Sequence, residues 1–178
     1  MTLTQYKKII SALPREELEA HLVDLFKTNR VFKDIESTTW AVDENAQLLE
    51  SYQKKIEKAF WKDDFSLSEC KAVLKDYSSR TLNPSTIALM HLSFAMEAAE
   101  LSAACGDFSE RFYSSLEKAA EVFLDYTRTD IEFFSTHEDA FQCLIDTCGS
   151  FGWGVQGNLE KMLRDAQAEV YGEEDENI

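Results

Sequence analysis

At 178 residues, with 44% hydrophobic and 12% aromatic side chains, the chain can bury a real core, which excludes disorder as its default state. The formal net charge is −15, and it is unevenly placed: residues 1–82 hold 13 Lys+Arg against 14 Asp+Glu, while residues 83–178 hold 5 against 19. An acidic second half repels nucleic-acid phosphates and anionic lipid and favours basic partners.

Two prolines and six glycines leave few breaks, so long helices are expected. The first is short, about Thr4 to Leu13, within an N-terminal segment whose apolar run is too brief for a secretory signal. Pro14 then suits a helix start, followed by Glu16 and Glu17 near the positive end of the helix dipole. Leu18, Leu22, Leu25 and Phe26 form one apolar stripe, and a further short helix carries Val31, Phe32 and Ile35. In the next helix Leu48, Leu49, Tyr52, Ile56, Ala59 and Phe60 face one way, while Lys54, Lys58 and Lys62 form a basic stripe on another face. Ser66 or Ser68 caps the following helix, with Cys70, Val73, Leu74 and Tyr77 inward.

Asn83-Pro84 opens the most apolar helix, which Gly106 ends. A helix apolar nearly all round belongs at the centre of a bundle. The stretch from Phe108 to Phe134 reads as one long helix with Phe112, Leu116, Ala119, Ala120, Phe123 and Leu124 inward. A shorter helix follows from His137 to Cys148, and a last one runs from about Val155 to Tyr171. The expectation is an all-α protein: a compact multi-helix bundle or a short α-solenoid-like stack of helical hairpins. One helical domain spans 1–172, and 173–178 form a frayed acidic tail. Without an apolar run long enough for a membrane span, and with four cysteines too few for a disulfide scaffold, a reduced cytoplasmic protein is expected.

Four of the six glycines fall between Gly149 and Gly157, and Gly152, Gly154 and Gly157 match Gly-x-Gly-x-x-Gly. A dinucleotide fingerprint requires a βαβ unit around it, and only 21 residues follow Gly157. The stretch therefore reads as a structural turn. Gly149 closes the preceding helix in a left-handed conformation, and Gly152 and Gly154 flank Trp153 so that its indole drops into the core. Gly157 and Ala166 suit close packing of the last helix.

Asp146-Thr147-Cys148-Gly149 followed by Phe151-Gly152-Trp153-Gly154 resembles the C-terminal signature of a family of small bacterial helical proteins whose domain has no known function. The stretches "LPREELEAHLVDLF", "YQKKIEKAF" and "FYSSLEKAAEVFLDY" are similar to other parts of that family. The resemblance implies a bacterial or phage origin and a compact helical fold. It implies no activity, cofactor or catalytic residue.

Other chemistry is thinly supported. His137, Cys143 and Cys148 lack the tight spacing of a zinc site, and Cys143 sits beside Phe141 and Leu144 on an apolar face. No Glu-x-x-His, nucleophile elbow or His-Glu-x-x-His occurs, so neither a metal nor a cofactor is expected. The leading expectation is a non-enzymatic interaction module. Its acidic residues Glu117, Glu121, Asp125, Asp130 and Glu132 engage a basic protein, as an immunity-type or phage-encoded inhibitor of a nucleic-acid-binding enzyme does. The alternative is a small-ligand binder or enzyme with a site between helices near His91, His137 and Trp153. A third reading is a homo-oligomer that buries Trp40, Phe133 and Phe134 between copies.

Overall fold

The computed structural model describes residues 2–40, 42–150 and 152–172. Among them lie nine α-helices and no strand: α1 (Leu3–Ala12), α2 (Arg15–Thr28), α3 (Arg30–Trp40), α4 (Val42–Phe60), α5 (Leu67–Arg80), α6 (Pro84–Cys105), α7 (Glu110–Thr127), α8 (Ile131–Thr147) and α9 (Val155–Tyr171). A 3₁₀ turn, Cys148–Ser150, follows α8.

The apolar helix α6 is the axis. Asn83 caps it by accepting from the backbone N–H groups of Ser85 and Thr86, and Pro84 supplies a pre-set first turn. Gly106 ends it at φ 92°, a conformation that costs a residue with a Cβ but not glycine. Around it pack α4, α5, α7 and α8, while α9 lies against α7 and α8. Contacts that reach past chain neighbours to one central helix make this a helical bundle, not a solenoid stack, in which each hairpin touches only the next.

Every apolar position expected inward on α7 is buried, as are Leu49, Tyr52, Ile56, Ala59 and Phe60 on α4. Phe60, Phe94, Phe112, Phe123, Phe134 and Phe141 are all at most 2% exposed; each fully buried phenyl ring stabilises the fold by about 1.5–3 kcal/mol. Polar ties fix the helix order. The Tyr52 hydroxyl donates to the Asp76 carboxylate, which also accepts from Arg80, and so joins α4 to α5. Burial, followed by the Asp76 hydrogen bond, pushes the Tyr52 phenol up to about 12. The buried Tyr113 hydroxyl lies 2.8 Å from Ser102 Oγ and accepts from the Phe108 N–H at 3.1 Å, locking the loop between α6 and α7.

The long helix expected over Phe108 to Phe134 is two helices. The chain leaves α7 after Thr127, and Asp130 starts α8 by accepting from the Phe133 N–H at 3.0 Å. Asp is a strong N-cap residue, and here its capping outweighs the continuity of the apolar pattern. Phe134 is consequently a core group, and Phe133 is half-buried against the core. Phe134 is buried, and Phe133 packs on Tyr126 and His137. The side chain of Trp40 and the tail 173–178 lie outside the described residues.

The N-terminal helices behave differently. None of the described residues of α1 or α2 is buried, and Ile9, Leu22, Val23, Phe26 and Val31 are exposed. The apolar stripe Leu18–Leu22–Leu25–Phe26 exists on α2, but Leu18 and Leu25 are only half-buried.

Candidate functional site

Five acidic positions on and after α7 were the expected contact surface. Glu117, Glu121 and Asp125 lie on α7, whereas Asp130 and Glu132 belong to the start of α8. Three of the five are engaged within the chain. Glu117 accepts from Asn158 Nδ2 at 2.7 Å, Asp130 caps α8, and Asp125 pairs with Arg128, which also reaches Glu169 at 3.0 Å. Glu121 and Glu132 remain as exposed carboxylates.

A second acidic surface lies between α4 and α6. Glu50, Glu57, Glu97 and Glu100 line a groove with Gln53, Ser93, Met96 and a single cation, Lys54. Lys54 is itself paired with Glu50 at 2.6 Å. The Trp61 indole N–H donates to Glu97 Oε2 at 2.9 Å. Glu97 is nevertheless held above the usual carboxylate range, first by burial and then by the charges of Glu100 and Glu57. Two lysines of the basic stripe are paired with acids of the first half, Lys54 with Glu50 and Lys62 with Glu69.

The glycine-rich segment forms a turn between α8 and α9, with its parts differently employed than expected. Gly149 sits in the 3₁₀ turn and has no positive φ; a Cβ there would meet Gln156 at an ordinary 3.8 Å. The left-handed residues are Gly154, at φ 71°, and Trp153 itself, at φ 65°. Trp153 is 61% exposed, so its indole does not anchor the core. Val155, buried at the first turn of α9, takes that place. Gly157 is exposed, with open space where a Cβ would sit, and only Ala166 is buried against the bundle.

Nor is Cys143 on the buried face, being exposed. The buried cysteines are Cys70 and Cys148, whose thiols burial pushes up to about 11 and about 12. Such thiols stay protonated and unreactive at neutral pH.

The residues of the alternative site lie in different settings. His137 is half-buried between Phe133 and Phe123, with Nδ1 2.8 Å from the Phe133 carbonyl oxygen. His91 instead lines a cavity of about 450 Å³ between α5, α6 and α7, to which neither His137 nor Trp153 contributes. Its rim holds Lys71, Arg111 and Lys118, and its apolar lining comes from Leu74, Phe94, Ala119 and Val122. His91 Nδ1 is buried without a hydrogen-bond partner, and burial holds the imidazole below its ordinary 6.5.

The cationic rim escapes a sequence reading because its residues come from two separate helices, Lys71 from α5 and Arg111 and Lys118 from α7. One signal was available in the sequence. Arg111, Ser115, Lys118 and Val122 recur at helical spacing, so they share one face of α7. In comparison with known proteins, no family model, no curated protein and no solved structure matches this chain.

Proposed function

We propose that the protein is a non-enzymatic interaction module that docks a basic protein through the groove between α4 and α6. The observation that carries this reading is the crowding of Glu57, Glu97 and Glu100, with Glu97 raised by burial and by its like-charged neighbours. A lysine or arginine entering the groove relieves that repulsion and gains charge-assisted hydrogen bonds. The exposed Trp61 at the groove's edge offers an aromatic face to the same side chain.

The acidic residues of α7, α8 and α9 act at longer range. Partly neutralised in place, they contribute potential that steers a basic partner, so they govern association rate more than lifetime. This charge pattern fits an inhibitor that covers the phosphate-binding surface of a nucleic-acid-binding enzyme. Membership of the small bacterial helical family, with a bacterial or phage origin, belongs to the same proposal.

A lysine-rich peptide titrated into ¹⁵N-labelled protein tests the docking surface. Amide shifts concentrated on Gln53, Glu57, Ser93 and Glu97, and lost when Glu57, Glu97 and Glu100 become glutamine, support it. Shifts confined to α7 and α8 would move the contact to the other acidic face.

A further inference from the structure

We infer that the cavity between α5, α6 and α7 is a binding site for a small organic anion: a phosphate, sulfate or carboxylate head carried on an apolar body. This function is separate from the acidic groove and is not required by it.

The cavity concentrates positive charge in a molecule that is otherwise strongly negative. Of the five Lys and Arg residues in 83–178, two, Arg111 and Lys118, stand on its rim, and Lys71 joins them from α5. Among the described residues, no aspartate or glutamate lines it. None of the three cations makes an ion pair with a described residue, although the protein carries 33 carboxylates from Asp and Glu. Arg128, at the C-terminal end of α7, by contrast holds two carboxylates. Cations without an ion pair to a described acid are available to an anion from outside.

The rest of the lining sets the ligand's other half. Phe94 and Ala119 are buried in the lining, with Leu74 and Val122 half-buried beside them. That apolar surface suits an aliphatic or aromatic body and is wasted on a bare inorganic ion. The Ser115 hydroxyl is already committed, donating to the Arg111 carbonyl at 2.7 Å. Ser114 is exposed on the same face of α7 and makes no side-chain hydrogen bond among the described residues. His91 brings a second kind of polar group, a buried ring nitrogen left without a partner, which a native core rarely tolerates. The volume of about 450 Å³ lies within the range of small-molecule sites, about 300–1,000 Å³.

Phenyl phosphate is the probe, with phenol and inorganic phosphate as half-ligand controls, each titrated into the full-length ¹⁵N-labelled protein. The expected result is saturable shifts of Leu74, His91, Ser114 and Lys118 with a dissociation constant in the millimolar range, as befits so small a ligand. Both controls should bind more weakly, and Arg111→Gln with Lys118→Gln should weaken phenyl phosphate by roughly tenfold. Both substitutions fall on exposed side chains, so the amide spectrum away from the cavity reports whether the fold is intact. No saturation at these residues, or shifts unchanged in the double variant, overturns the assignment. Equal binding of inorganic phosphate overturns the role of the apolar lining. Because none of the groove glutamates is altered, failure here leaves the docking proposal standing, and failure there leaves this one.

Discussion

The indole N–H of Trp61, just beyond the end of α4, donates to the Glu97 carboxylate of α6 at 2.9 Å, although two other glutamates press on the same group. The hydrogen bond favours the ionised form, but burial and like charge outweigh it. Glu97→Gln keeps an acceptor for the indole and removes the repelled charge. A group whose folded pKa is raised stabilises the fold below its unfolded value and loses that contribution as pH rises through the folded one. The variant should therefore melt higher than wild type at pH 7.5, with the gap closing toward pH 4. It should also bind a basic peptide less well, a trade of function for stability. Paired thermal melts and peptide titrations check both.

His91 gives the opposite pH signature. Its folded pKa is depressed by burial, and the charged groups that share its cavity are Lys71 from α5 and Arg111 and Lys118 from α7. Stability is fully present above the ordinary value of 6.5 and is lost as pH falls from there toward the folded value, because the unfolded chain takes up the proton first. Replacement by glutamine should reduce the drop in melting temperature between pH 7.5 and pH 5.5. Calorimetric scans of both proteins at the two pH values provide the comparison.

Removing one hydroxyl should matter at Tyr113. Tyr113→Phe leaves the Phe108 N–H and the Ser102 hydroxyl without their shared partner in a buried setting. A loss of about 1–3 kcal/mol in unfolding free energy is expected from urea denaturation. An unchanged midpoint would mean that water replaces the hydroxyl.

The glycines of the α8–α9 turn divide into two kinds. Gly154→Ala forces a Cβ into a left-handed backbone and should cost about 1 kcal/mol. Gly149→Ala should be nearly neutral, since its backbone is ordinary and the nearest atoms belong to the Gln156 side chain. Chemical denaturation of the two variants side by side separates them.

That contrast shows where sequence reasoning reached and where it stopped. Helical periodicity located the core of α4, α6 and α7 because burial there follows from one helix's own pattern. Capping broke the pattern at Asp130, where a side-chain hydrogen bond accepted from the Phe133 N–H starts a new helix across an apolar pattern that continues. Its large indole and flanking glycines point Trp153 to the core, yet it lies exposed in a left-handed turn, and the smaller Val155 is buried instead. Both candidate sites were only half legible. Glu97 and Glu100 on α6 were visible as a pair, but their juxtaposition with Glu50 and Glu57 depends on α4 packing beside α6. Lys71 joins Arg111 and Lys118 only after α5 and α7 are set against α6, a relation between elements that no local window contains.

The most direct test of the docking account is affinity capture of tagged protein from its native cell extract, eluted by a salt ramp, beside a variant with Glu50, Glu57, Glu97 and Glu100 changed to glutamine. The account predicts one stoichiometric basic protein on the wild-type chain, released as salt rises and absent from the variant. A partner held equally by the variant, one insensitive to salt, or a bait that captures nothing would contradict it.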